Sequence, residues 1–265
     1  MTQALLIEDL GTVRVLTLNR PERLNALNDE LLRALRDAMH ECADPDRDIR
    51  VVVLRGNGRA FCPGADLKWL STGVLHDHAA HLRFQDLLQE VCECFESADQ
   101  VVIASVHGFA LAGGLEVTLS CDIAVVAEDA ELGDEHIRRN LLPGGGGSQR
   151  LPRRLGLPRG LFYLLTGRRI RGAEAERIGL AALSVPAAQL TEATLALARE
   201  IARADRRALA AMKMMARRGM EMSLKDGLWL ERWTQHRYRS ESPSMNQGVA
   251  DFAARGKNAA TDKPA

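Results

Sequence analysis

Along the first two-thirds of the chain the spacing of apolar positions switches repeatedly between strand and helix periods. ALLIEDLGTVRVLTLN (Ala4–Asn19) reads as two strands joined by a turn at Asp9-Leu10-Gly11-Thr12. From Asn28 to Cys42 the period is helical, with Leu31, Leu32, Leu35 and Met39 on one side and Asn28 placed as the N-cap. RVVVLRG (Arg50–Gly56), VVIASVHG (Val101–Gly108) and DIAVVAED (Asp122–Asp129) are short, β-branched and almost wholly apolar, the pattern of strands buried on both faces. Between them lie a long predicted helix, His76–Ala98, and a short one, Gly114–Ser120. Strands alternating with helices predict an α/β fold with parallel pairing and right-handed crossovers.

Beyond Gly147 the pattern is helical almost throughout. Helices are expected over 155–166, 173–179, 187–204, 206–219, 224–238 and 244–255, punctuated by Pro143, Pro152, Pro158, Pro186 and Pro243. The last of them carry Met, Leu and Trp on one stripe and Arg or Lys on another, which suits packing on their own domain or on a neighbouring subunit. The terminal KNAATDKPA is expected to be loosely ordered.

Composition adds bounds. A chain of 265 residues with 46% hydrophobic content can bury the core of one large domain, with or without a helical appendage. Lys+Arg and Asp+Glu are both 35, so no net charge draws the chain to nucleic acid or to an anionic membrane. Aromatics at 4% further weaken a base-stacking role. MTQALLIEDLG does not read as a signal peptide, and no apolar run is long enough to span a bilayer. The cysteines (Cys42, Cys62, Cys92, Cys94, Cys121) are odd in number and irregularly spaced, so free thiols in a reducing cytoplasm are expected. His76, His78 and His81 have no partner cluster and read as a solvated helix start rather than a metal site.

Two loops carry the candidate chemistry. RGNGRAFCPGADLKWL (Arg55–Leu70) and HGFALAGGLEVTLSCD (His107–Asp122) each leave a strand, pass through glycine and enter a helix. Ligands of a parallel sheet gather beyond the carboxyl ends of its strands. Backbone N–H groups exposed at a helix N-terminus favour developing negative charge. Two such loops side by side can aim two N–H groups at one oxygen, an oxyanion hole suited to an acyl carbonyl. Glu116 sits in the first turn of a helix that otherwise reads Leu115, Val117, Thr118, Leu119. A carboxylate there must be paired, hold the helix dipole, or carry a raised pKa that makes it a usable acid or base near neutrality. Other motifs fail. Gly56-Asn57-Gly58-Arg59-Ala60-Phe61 lacks the third glycine of a dinucleotide fingerprint. Gly144–Gly147 is followed by Ser-Gln, which excludes a P-loop, and the run reads as a tight, close-packed turn into a helix with Ser148 as its cap. Ser105-Val106-His107 has no nucleophile elbow.

Taken together these segments resemble the enoyl-CoA hydratase/isomerase (crotonase) family, from LTLNRPERLNALN (Leu16–Asn28) to GVADFAARG (Gly248–Gly256). The most specific parts are FCPGADLK, ALAGGLEVTLSCDIAVV and LPGGGGSQRL followed by LTGRRIRGAEAERIGL. The resemblance implies a crotonase-like ββα spiral core over residues 1–195 and a C-terminal helical trimerisation region over 196–265, assembled as a homotrimer or dimer of trimers. It implies an acyl-CoA thioester substrate, with CoA part of that substrate and no other cofactor, no metal, no nucleic acid and no membrane partner. Its thioester oxygen is held by the N–H groups of Ala65 and Gly113. Substrate contacts fall to Arg23, Leu24, Ala26, Asp66, Leu67, Lys68 and Gly114. Phe252 and Arg255, with Lys257 close enough to substitute, match positions that reach a neighbour's adenine end.

Glu116 matches the first of two glutamates of the hydratases. The second falls three residues after Gly133 and seven before Pro143, and both counts reach His136. Histidine replaces that glutamate, Glu135 replaces the usual proline before it, and Pro63 is a smaller departure in the first loop. A Glu116–His136 pair is competent for hydration of a 2-enoyl-CoA, since imidazole serves as acid or base near neutrality. Isomerisation, thioester hydrolysis, or a member that binds acyl-CoA without chemistry are the alternatives. In the last case His136 only fills the position, hydrogen-bonded to Asp134 or to backbone. Helix 76–98 and the residues around Leu141 and Leu142 are expected to wall the acyl pocket.

Overall fold

The expected apolar runs form the central strands of a six-stranded sheet. In the computed structural model, which describes residues 3–44, 46–250 and 252, its order is β1-β2-β3-β4-β6-β9. β1 (Leu5–Leu10) pairs antiparallel with β2 (Val13–Leu18) across the turn at Gly11. β3 (Val51–Gly56), β4 (Val101–Val106), β6 (Ile123–Ala127) and β9 (Leu183–Val185) continue in parallel. All six residues of β2 and of β4 are buried, including Arg14, which is paired with Asp9, and Ser105, which is hydrogen-bonded to Thr194.

Each crossover is helical. α1 (Asp29–Cys42) is capped by Asn28, whose side chain accepts from the Leu31 N–H, and its buried stripe is Leu31, Leu32, Leu35, Ala38, Met39 and Cys42. α2 (Leu67–Trp69) runs into a wider turn over Leu70–Val74. α3 (His78–Ser97) begins at its Asp77 cap, two residues later than the apolar pattern alone suggested, and packs on α1. α4 (Gly113–Ser120) is buried along its whole length. A second, three-stranded sheet joins β5 (Phe109–Leu111), β7 (Glu131–Gly133) and β8 (Ile170–Arg171).

Downstream, α5 (Gly147–Leu155) and α6 (Leu157–Thr166) replace the single helix expected from Leu155. Gly156, at φ +81, separates them. α7 (Gly172–Arg177) and α8 (Leu190–Ile201) follow, α8 covering β3, β4 and β6. Strands alternating with helices give the mixed α/β fold that the apolar pattern predicts.

Two compact units divide after Arg203. The second contains α9 (Arg206–Gly219) and α10 (Leu224–Glu241), which pack on each other. Asp205 caps α9 through the Ala208 N–H and accepts from Tyr238 and Ser244. Trp229 and Trp233 stack at 6.5 Å, and Met212, Met220, Leu224 and Trp233 are all exposed. Residues 244–250 are helical, as expected. Arg255, Lys257 and the terminal KNAATDKPA lie outside the described residues. Among the described residues no helix is long and apolar enough to cross a membrane.

Candidate active site

The two glycine loops lie against each other. The Cys62 N–H donates to the Phe109 carbonyl and the Leu111 N–H to the Cys62 carbonyl, so the loop after β3 runs alongside β5. The contact is close enough to demand glycine. A Cβ added at Gly114 would stand 2.1 Å from the Cys62 carbonyl oxygen, and one at Gly64, where φ is +104, would stand 3.0 Å from the Gly113 nitrogen.

Bonding on the first loop skips one amide. The Leu27 N–H donates to Gly64 and the Asp66 N–H to Leu27, so Ala65 N–H takes no part. Gly113 opens α4 after Ala112, which is held at φ 48 and ψ −118, and among the described residues its N–H likewise donates to nothing. A Cβ at Gly113 would lie 3.6 Å from the Ala65 nitrogen. Two adjacent amide donors without partners among the described residues are the elements of an oxyanion hole.

Glu116 stands one turn further along α4 and is 1% exposed. Its Oε1 accepts from the N–H groups of Gly145 and Gly147, both at 2.8 Å. Its Oε2 is buried without a hydrogen-bond partner among the described residues. The glycine run is therefore the cradle of this carboxylate. Ser148 does not cap α5: Gly146 occupies that position at φ +94 with no side-chain cap, and the Gly147 N–H at the helix start is satisfied by Glu116 from α4. Burial pushes the Glu116 carboxyl above its ordinary value and the nearby Asp134 charge adds to this, against the two amides and His136, which oppose it.

His136 opens a single 3-10 turn, His136–Arg139, directly after β7. Its Nδ1 lies 2.8 Å from Asp134 Oδ1, and its Nε2 lies 4.0 Å from Glu116 Oε2. Burial disfavours the imidazolium, yet the hydrogen bond to Asp134 and the charges of Asp134 and Glu116 outweigh it and raise the His136 pKa. Glu135 turns the other way, to Arg169 Nε at 2.6 Å, with Arg138 and Arg139 beside it. Burial alone would raise its carboxyl, but these arginines hold it below the usual range.

A cavity of about 430 Å³ adjoins the pair. Arg23, Leu24, Ala26, Ala65, Asp66, Leu67, Lys68 and His136 line it, as does Leu141. Gly113, Gly114 and Glu116 are buried and do not line it. α3 contributes nothing to this lining, and Leu142 is 80% exposed, so neither walls this cavity as expected. Phe252, in the second unit, is exposed.

The enoyl-CoA hydratase/isomerase profile matches residues 8–263. The chain belongs to the enoyl-CoA hydratase/isomerase family. A probable enoyl-CoA hydratase of Rhizobium meliloti is 37% identical over 261 residues, 96% of each chain. The 2,3-dehydroadipyl-CoA hydratase of Escherichia coli is 34% identical over 95% of this chain and 99% of its own. The crystal structure of an enoyl-CoA hydratase from Bacillus anthracis superposes with a TM-score of 0.90 at 31% identity, over 96% of this chain and 97% of that one.

Within this family enzyme, sequence reasoning did not find Gly145 and Gly147 as donors to Glu116, nor Arg139, Arg169 and Glu135 in the cavity wall. The glycine run was the only visible signal for the first. Nothing local signals the second, since Arg169 and Glu135 meet from 34 residues apart.

Proposed function

We propose that this enzyme is a 2-enoyl-CoA hydratase in which Glu116 and His136 act as a one-proton acid–base pair. The observation that carries the proposal is the unpartnered Glu116 Oε2 facing His136 Nε2 across 4.0 Å, beside a cavity edged by the unused Ala65 N–H. That separation admits one water bonded to both atoms at ordinary distances. The acyl-CoA enters with its thioester oxygen on the Ala65 and Gly113 amides, which polarise the conjugated double bond. Neutral His136, with Nε2 bare, takes one proton from the water. The water oxygen bonds to the β-carbon, and the electron pair moves through the α-carbon to the thioester oxygen. In the reactive form of the pair Glu116 carries the proton, a form that its burial favours, and gives it from Oε2 to the α-carbon. The pair ends as imidazolium and carboxylate, and a proton crossing the 4.0 Å gap restores it. No cofactor beyond the CoA of the substrate is required.

On this reading Arg23, Leu24, Ala26, Asp66, Leu67 and Lys68 receive the CoA and Gly114 supports the acyl group, in an assembly of three or six copies with Phe252 and Arg255 reaching a neighbour's site. The exposed Trp229, Trp233 and Met220 supply apolar surface for that assembly. No disulfide joins the described cysteines, which supports a cytoplasmic setting. The test is loss of conjugated-thioester absorbance, without release of free CoA thiol, on incubation with a short 2-enoyl-CoA. Glu116→Gln should slow it by about 10²–10⁴ while acyl-CoA binding persists. Full turnover by that variant refutes the role of Glu116. The Asp134–His136 bond favours thioester hydrolysis as the second reading, because an oriented imidazole also activates water against a carbonyl. Release of free CoA thiol without loss of conjugation decides for it.

A further inference from the structure

We infer that Asp134 is the positioning residue of the site: its carboxylate holds the proton of His136 on Nδ1, leaving Nε2 bare and aimed at Glu116. This deepens the hydratase reading and rests on it only for the kinetic part of its test. Asp134 is 1% exposed, on the short link between β7 and the 3-10 turn. Its Oδ1 has two neighbours on His136. The backbone N–H lies at 3.4 Å, a weak contact, and Nδ1 lies at 2.8 Å. A carboxylate serving only to shape the turn would favour the backbone amide. Here the shorter bond goes to the ring.

A carboxylate can only accept, so the shared proton belongs to Nδ1. The neutral ring then has an unprotonated Nε2, the atom 4.0 Å from Glu116 Oε2. Without Asp134 the ring is free to turn or to carry its proton on Nε2, and it can no longer take one from water. Two further features show that the structure makes room for this carboxylate. Its Oδ2 is buried without a partner among the described residues. A Cβ at Gly147 would come within 2.4 Å of that Oδ2, so the bare backbone at 147 is what the Asp134 carboxylate packs against. The charged groups around the imidazole are Asp134, Glu116 from α4 and Arg139 from the same turn.

The test combines a spectroscopic and a kinetic measurement. Full-length protein labelled with ¹⁵N-histidine is recorded at a pH above the imidazole titration, with His136 identified by the signal lost in His136→Gln. The expected wild-type result is a protonated Nδ1 and a bare Nε2. In Asp134→Asn the carboxamide can donate to Nδ1, and the ring proton is expected on Nε2. In the same variant kcat for 2-enoyl-CoA hydration should fall about a hundredfold or more with KM changed less than threefold, the range of a general base in the wrong protonation form. A wild-type His136 protonated on Nε2 overturns the inference even if the variant does not fold. So does an Asp134→Asn enzyme that keeps the Nδ1 proton, or that keeps wild-type kcat in an active hydratase. If the wild type hydrates no enoyl-CoA while the ring proton moves as expected, the hydratase reading falls and the positioning role stands.

Discussion

Alanine substitutions along Gly144–Gly147 should have sharply unequal effects, although they look equivalent in sequence. At Gly147 a methyl group would meet Asp134 Oδ2 at 2.4 Å, and ordinary contact begins near 3.4 Å, so the carboxylate must retreat by about 1 Å. Its bond to His136 Nδ1 is 2.8 Å long and does not survive such a shift. A hydrogen bond to a charged group contributes about 1.5–3 kcal/mol. Alanine in the first turn of α5 returns at most about 1 kcal/mol of helix propensity. The net expectation for Gly147→Ala is destabilisation by about 1–2 kcal/mol. Hydration should slow tenfold or more, since 1.36 kcal/mol on the barrier is about a factor of ten. At Gly144 the added methyl meets only the amide end of the Gln85 side chain, at 3.0 Å, which can swing aside. Gly144→Ala should stay within about 0.5 kcal/mol and twofold of wild type. Urea-denaturation midpoints followed by tryptophan fluorescence, with kcat on a short 2-enoyl-CoA, measure both. If Gly147→Ala matches Gly144→Ala in both, the argument that the run makes room for Asp134 is wrong.

Other outcomes follow from the same geometry. Glu116→Gln should lose about 10²–10⁴ in kcat yet remain folded, because the amide oxygen still accepts from Gly145 and Gly147; circular dichroism melts and turnover check this. A buried acid with a raised pKa binds its proton more tightly folded than unfolded, so its drain on stability grows as pH rises above 4.5. Melts of Glu116→Gln against wild type should therefore shift in the variant's favour between pH 4.5 and neutrality. The pH–rate profile should be bell-shaped, active with one proton on the pair, and its alkaline limb should lie above the ordinary histidine value of 6.5 because both groups are displaced upward. An alkaline limb below 6.5 contradicts the pairing. Glu135 is the opposite case: its lowered pKa contributes stability present above 4.5 and lost as pH falls through the lower folded value. Glu135→Gln should be about 1–3 kcal/mol less stable at neutrality, discounted for the partly exposed arginines. That gap should close in acid, as urea melts at pH 7 and pH 3.5 would report.

The sequence made the central strands and α1 legible because their signals are local. Short, almost wholly apolar runs rich in β-branched residues mark β3, β4 and β6, the turn at Gly11 between two strand patterns marks β1 and β2, and Asn28 ahead of a leucine stripe marks α1. Glu116 stood out as a charge on an apolar helix, and His136 only through the family resemblance, whose register counts to it from Gly133 and from Pro143. β5, β7, β8 and β9 were not, since strands of two or three residues are too short for any period to register. The start of α5 was missed because its first amide is satisfied not by Ser148 but by Glu116, 31 residues away. The same long-range contact hid the meaning of the glycine run. A polar group that is satisfied only by tertiary approach leaves no pattern in its own neighbourhood.

The division between the two oxygens of Glu116 has a stereochemical consequence. Oε1 is pinned by two backbone amides, so the carboxyl group cannot flip, and only Oε2 looks toward His136. For a thioester bound as proposed, the water and the acid stand on one side of the double bond. Both new bonds then form on that side. In heavy water one deuterium should enter at the α-carbon in a single configuration relative to the new hydroxyl. The handedness of the product would be written by two glycine N–H groups that never touch it.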